Sequence, residues 1–178
     1  MLIKQHIKFE FKLQFNVYYS FGNSYYQNPI THVQFFLNDC YGYVRRAGSP
    51  IQYFESLENK YGEWGGGLNG LDLSVDIEKK LVYISELFFG YNYEDIMTED
   101  EFDIKCDEMG YLELYRNNII ESAVMTIENF IHLLTVWGKL LDTMSPFVLL
   151  YLDDKDWYDL LAFDSQEAME EFVADHTK

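Results

Sequence analysis

Carboxylates crowded against aromatic rings are the side chains of this sequence with the clearest capacity for chemistry. The run Asp153-Asp154-Lys155-Asp156-Trp157-Tyr158-Asp159 places an indole amid four carboxylates, and Tyr91-Asn92-Tyr93-Glu94-Asp95 and Thr98-Glu99-Asp100-Glu101-Phe102-Asp103 repeat the mixture. Carboxylates in such density can ligate calcium, divide acid and base roles between them, or accept charge-assisted bonds from Lys and Arg. An EF-hand loop requires glycine at its sixth position and glutamate at its twelfth; counted from Asp154 these positions hold Asp159 and Ser165. Two readings of 153–159 remain. One is a hairpin turn, for which Asp is favoured without any ligand. The other is a binding edge, in which Trp157 offers the amphipathic contact that interface centres favour.

Other chemistries find no set of residues to carry them. His6, His32, His132 and His176 stand singly, with no second histidine or cysteine three or four residues away. Cys40 and Cys106 form no CxxC and are expected to be reduced thiols. No Gly-x-Ser-x-Gly elbow occurs, so no nucleophile is marked. The glycine-rich stretch 61–70 lacks a following Gly-Lys-Ser/Thr and leads into a strand, whereas a phosphate cradle needs a helix N-terminus. The expectation is a protein without catalytic activity, cofactor or metal.

Charge narrows the partner class. Residues 86–178 carry 22 acidic and 5 basic side chains, while residues 1–85 carry 8 of each, so the whole net charge of −17 lies in the second half. Such a field repels nucleic acid and anionic membranes and speeds encounter with basic partners. With 48% hydrophobic and 18% aromatic residues the acidity belongs to a folded surface, because acidic disordered tails are poor in aromatics. The 15 tyrosines exceed what one core of this size can use. Tyrosine gives contact area at low rotamer cost, and carboxylates pair with Lys and Arg. This is the surface expected of an inhibitor of a basic protein, and a nuclease, whose groove attracts phosphates, is the commonest such protein. Neither an export signal nor an apolar run of membrane-spanning length is evident, so a cytoplasmic location is expected.

The elements that must position these residues follow from periodicity. Ile7, Phe9, Phe11, Leu13, Phe15 and Val17 alternate with polar residues and predict a single strand that runs on to Phe21. Asn28-Pro29 opens a helix to about Tyr41, and Ser49-Pro50 a shorter one burying Ile51, Phe54 and Leu57. Leu71–Ile77 and Leu81–Ser85 predict an antiparallel hairpin. A further strand at Phe102–Cys106 is expected to pair with Tyr111–Tyr115. Ile127, Phe130, Ile131, Leu134, Trp137 and Leu141 mark a helix capped by Thr126, with Glu128, Asn129, His132 and Lys139 outward. Phe147–Leu152, apolar on both faces, predicts an interior strand returning through the Asp-rich turn as Trp157–Phe163. Asp164 and Glu167 predict a capping box for a last helix that buries Met169, Phe172 and Val173. The class expected is α+β, a mainly antiparallel sheet with helices packed on one face, in a single domain over residues 1–178.

The segment Met125–Trp137, with its Phe-x(6)-Trp helix (Phe130, Trp137), together with the strand and Asp-rich hairpin Phe147–Phe163, resembles the immunity proteins of contact-dependent growth inhibition systems, in the group paired with ribonuclease toxins. The resemblance covers Glu113 to Asp175. It implies a cytoplasmic antitoxin without catalytic activity that binds the delivered toxin and blocks its active site or substrate groove. Contact residues do not transfer by motif. From charge and aromatic pattern alone, Glu99, Asp100, Asp103, Asp153, Asp154, Asp156 and Trp157 are expected to meet the partner, and joint neutralisation of Asp153, Asp154 and Asp156 is expected to slow association without unfolding. Two other readings stay open at this point. One is a carboxylate-dependent enzyme or calcium module using Asp153, Asp154 and Asp159; the other is an acidic nucleic-acid mimic docking on a regulator.

Overall fold

The computed structural model describes residues 1–12, 17–21, 29–57, 71–86, 104 and 107–177. Within them the chain is an α+β protein with two antiparallel sheets. Strands β1 (Ile3–Lys12), β2 (Val17–Phe21), β6 (Phe147–Asp153) and β7 (Tyr158–Phe163) form a first sheet in the order β2-β1-β6-β7. Strands β3 (Leu71–Asp76), β4 (Leu81–Glu86) and β5 (Ala123–Thr126) form a second, in the order β3-β4-β5. Helices α1 (Pro29–Phe35), α2 (Tyr41–Ala47) and α3 (Pro50–Leu57) follow β2, with a π-helical turn, Phe36–Cys40, between the first two. The remaining helices are α4 (Tyr111–Arg116), α5 (Ile127–Thr143) and α6 (Gln166–His176).

Strand alternation explains how the layers stack. On the inner face of the first sheet Ile7, Phe9, Tyr18, Val148, Leu150 and Leu160 join a cluster with Val33, Leu37, Phe130, Leu134 and Trp137 of the helices, and with Val82, Ile84 and Met125 of the second sheet. Helix α1 touches β1 and β6 on one side and β4 and β5 on the other. A helical layer is thus held between two sheets. The opposite faces are covered as well: Leu149 and Tyr151 of β6 pack on Met169 and Val173 of α6, and Tyr83 of β4 packs on Leu114 and Tyr115 of α4. Strand β6 is apolar on both faces because both are buried. Helices α1, α2, α3 and α5 pack in the layer between the sheets, whereas α6 covers the outer face of the first sheet and α4 that of the second. A register irregularity between Ile3 and Gln5 turns Ile3 outward to join α6, as a β-bulge does by adding one residue to the alternation.

Most elements lie where periodicity placed them, and four differ. The first strand ends at Lys12, and Val17 opens an antiparallel partner with Lys12 opposite Val17, so the expected single strand is a hairpin whose turn lies outside the described residues. Helicity continues beyond Tyr41 to Ala47 through the π turn. The stretch expected to pair as a strand at Tyr111–Tyr115 is helix α4, and of its partner at 102–106 only Ile104 is described and is helical. Its alternating Tyr and Leu were the misleading signal: Leu114 and Tyr115, adjacent in sequence, are both buried, as one side of a short helix on a sheet allows. Strand β5 was not expected at all. Within α3, Ile51 is exposed and Tyr53 and Phe54 are buried, a one-position rotation of the expected face. Asn28, the stretch 61–70 and Cys106 lie outside the described residues, as does the side chain of Cys40.

Helix α5 props both sheets. Phe130, Leu133, Leu134 and Trp137 are fully buried on its stripe, and Thr126 caps it by accepting a bond from Asn129 N at 3.1 Å. Trp137 packs against Phe9 and Tyr18 and donates its indole N–H to Leu37 O at 2.9 Å, which fixes α5 to the π turn. The last helix is capped by Ser165, which accepts from Ala168 N, one residue after the expected Asp164. Among the described residues, no helix is long and apolar enough to cross a membrane.

Candidate functional site

The acidic run 153–159 closes the β6–β7 hairpin. Asp156 N donates to Asp153 O at 3.2 Å, and Asp153 N to Trp157 O at 3.0 Å, a type I turn followed by a residue in the left-handed region. That residue is Asp156, with φ 62°. Asp153 is the turn's clamp: its Oδ1 accepts from Lys155 N at 2.8 Å and Trp157 N at 2.9 Å. Asp153, expected to meet the partner, has its oxygen engaged within the turn, and neutralising it loosens the turn as well as removing charge. Asp154, Lys155 and Asp156 are exposed.

The N-terminal end of β1 lies alongside. Asp154 Oδ1 accepts from Leu2 N at 3.1 Å, and this bond holds its carboxyl below the ordinary carboxylate range. Lys4 Nζ sits 2.6 Å from Asp156 Oδ1, both groups being largely in solvent. The turn therefore already attracts an ammonium and a backbone N–H. Behind it, burial first and then the charges of Asp159 and Asp153 push the Tyr151 hydroxyl up to about 12.

Trp157 is held by neighbours that sequence spacing did not bring together. Its ring lies 5.5 Å from that of His132 on α5, and His132 Nε2 lies 2.9 Å from Asp159 Oδ1. One turn earlier on α5, Asn129 is buried, contrary to its outward expectation. Its Nδ2 donates to Tyr158 O at 2.7 Å and its Oδ1 accepts from Tyr158 N at 2.8 Å. The side-chain amide thus pairs with the edge strand as another strand would, which satisfies and covers that edge. A signal was present: Asn129 shares the 129, 133, 137, 140 stripe with Leu133, Trp137 and Leu140.

Of the expected contact residues, the structure brings together Asp153, Asp154, Asp156 and Trp157. Glu99, Asp100 and Asp103 lie outside the described residues. Among the described residues no three His, Cys, Asp or Glu side chains gather as a metal site, and Asp159, with its oxygen on His132, forms no such group with Asp153 and Asp154.

A second acidic constellation was not anticipated. Asp76, at the end of β3, is wholly buried and receives two bonds from Arg116 of α4, at 2.6 and 2.8 Å. Arg116 also binds Glu113 at 2.6 Å and Glu78 at 3.2 Å. The guanidinium holds Asp76 below the ordinary carboxylate range, and the carboxylates raise Arg116 in return. This fork pins α4 to the second sheet.

No family model matches the chain, and no curated protein and no solved structure is significantly similar to it.

Proposed function

We propose that this protein is an immunity protein that neutralises a basic nuclease toxin, a ribonuclease of a contact-dependent growth inhibition system, by laying an acidic aromatic surface over the toxin's active site or substrate groove. The observation that carries the reading is the exposed Asp154–Asp156 turn beside a braced Trp157. Carboxylates there are exposed, with Asp154 on Leu2 N and Asp156 on an exposed Lys4 that a stronger cation can displace, and the indole is held by His132 and the hairpin, so little rotamer freedom is lost on contact. A net charge of −17 steers a cationic partner toward it, with association rates that reach roughly 10⁸ M⁻¹s⁻¹ at low salt. The resemblance of residues 113–175 to such immunity proteins points the same way. In this role the protein acts in the cytoplasm and needs no cofactor.

Capture of the tagged protein from cells of its own strain, followed by mass spectrometry, tests the reading. Recovery of a basic polypeptide encoded next to it, whose nuclease activity the protein abolishes, supports the proposal. Recovery of no basic partner from cells shown to express the neighbouring genes contradicts it.

A further inference from the structure

Among the described residues the two sheets end in four edge strands, β2 and β7 in the first and β3 and β5 in the second. An unpaired edge invites another strand, and proteins blunt it with charge, brevity, bulges or cover. Three of the four are blunted here. On β7 Asn129 takes the outward N–H and C=O of Tyr158, and Asp159 Oδ1 accepts from Leu160 N at 2.8 Å on the same edge. Strand β3 carries Asp72 and Asp76, and β5 is 4 residues long.

Strand β2 has none of these devices. Its residues, Val17-Tyr18-Tyr19-Ser20-Phe21, include no charge and no proline, and all but Ser20 are strong strand formers. Phe11 N donates to Pro146 O at 2.9 Å, in register with the pairs Phe9–Val148 and Ile7–Leu150. Ile7, Phe9 and Phe11 therefore bond to β6, and Lys8, Glu10 and Lys12 bond to β2. Opposite the latter lie Phe21, Tyr19 and Val17, so the intervening Tyr18 and Ser20 turn their N–H and C=O groups away from β1. Among the described residues no backbone bond reaches those groups. The strand is held in place from within: the Tyr18 ring packs on Phe9, Phe11 and Trp137, and its hydroxyl lies 3.1 Å from Leu140 O and 2.9 Å from Ser145 O.

The outward groups are symmetric about Tyr19, and this selects the occupant. With a second β2 running antiparallel and Tyr19 opposite its own copy, Tyr18 meets Ser20 of the partner subunit and Ser20 meets the partner's Tyr18. Both are hydrogen-bonding pairs, each exchanging two backbone bonds. Charge permits the approach, because residues 1–85 carry 8 acidic and 8 basic side chains and β2 adds none, while the excess of −17 lies in the other half. Tyr19 itself is 48% exposed. We infer that two copies of this chain pair through β2, antiparallel about Tyr19, and join their first sheets into one continuous sheet across a two-fold axis. The seam lies at the opposite edge of the sheet from β7, and the inference does not rest on the toxin reading.

Sedimentation velocity of the full chain, over a concentration series at low and high salt, tests it. The expected result is a reversible monomer–dimer equilibrium, half complete on the order of 100 µM, as suits a short seam. Salt should strengthen it, because copies that each carry a net charge of −17 repel one another and screening relieves this. Tyr19→Lys sets two ammonium groups against each other at the two-fold axis and should weaken the dimer at least about tenfold, at unchanged circular dichroism and melting temperature. Tyr19→Cys places two thiols at a pair whose Cα atoms are about 4.5 Å apart, within reach of a disulfide. Mild oxidation should lock it as a covalent dimer, and should not lock the parent chain or Ile51→Cys, at an exposed position of α3. A chain that stays monomeric to about 1 mM in high salt would overturn the inference, as would a dimer that Tyr19→Lys leaves intact and Tyr19→Cys does not lock.

Discussion

The β3–β4 and β6–β7 turns are built alike and used differently. In each, an Asp at the end of the first strand accepts backbone N–H groups of the turn, Asp76 from Lys79 and Asp153 from Lys155 and Trp157. In each, a residue other than glycine takes the left-handed conformation, Lys80 at φ 57° and Asp156 at φ 62°. The difference is what reaches the carboxylates from elsewhere. Asp76 is enclosed by Arg116, forty residues on, and its charge is spent within the fold. At the other turn Asp154 and Asp156 meet, among the described residues, Leu2 N and an exposed Lys4, and they stay open to a larger cation. Local turn chemistry does not decide whether an acidic hairpin is structural or available; the long-range partner does.

The comparison breaks most visibly if the buried fork is opened. Arg116→Met leaves the buried Asp76 without its ion-pair partner, held by Lys79 N, and should cost about 3 kcal/mol, a fall in Tm of roughly 10 °C by scanning calorimetry. A fall of under 2 °C would mean the two turns are equally dispensable. Replacement of Asp76 and Arg116 together by Leu and Met should recover much of the loss, because the penalty lies in the unpaired charge.

Acid titration separates two contributions to stability. Burial lowers His32 to about 4 from its ordinary 6.5, so the unfolded chain binds the extra proton first. Stability from this source is complete above about 6.5 and is lost as pH falls toward 4, on the order of 3 kcal/mol in all. Asp76, also lowered, contributes stability that is present above the ordinary carboxylate value and lost only as pH falls through its lower folded value. Urea melts at pH 7, 5.5, 4 and 3 should show the first loss in the parent and a smaller one in His32→Asn, where His6, also lowered by burial, still contributes, whereas Asp76→Asn should flatten only the slope below about 4.

Smaller effects are expected at the open turn. Asp153→Ala removes the clamp on two backbone N–H groups and should cost about 1–2 kcal/mol in urea melts. Asp156→Gly relieves the left-handed aspartate and should raise stability by about 0.5 kcal/mol while it deletes a charge. Opposite signs at two carboxylates three residues apart would sharpen the distinction between clamp and contact. Equal losses would erase it.

What the sequence made legible was local or periodic. The β3–β4 and β6–β7 hairpins, the interior character of β6 and the Thr126 cap could be read because their signals lie within a few residues of one another. The break between β1 and β2 was hidden because Leu13, Phe15 and Val17 carry the alternation on without Gly or Pro. Tyr111–Tyr115 alternates like a strand, and only its packing on Tyr83 shows why a helix forms there. The candidate site was half legible: composition singled out Asp154, Asp156 and Trp157, which the structure places at one turn, whereas the fork of Asp76 and Arg116 and the bracing of Trp157 by His132 depend on contacts 25 to 40 residues apart.

The most direct test of the central claim is the association rate of the double variant Asp154→Asn/Asp156→Gly, clamp intact, with the basic partner recovered by capture, measured by stopped flow at low and physiological ionic strength. If the open turn is the steering surface, the variant should keep its melting temperature and associate about fivefold more slowly at low salt, with a shallower salt dependence. An on-rate and salt slope equal to those of the parent chain would contradict the account and place the partner elsewhere on the molecule.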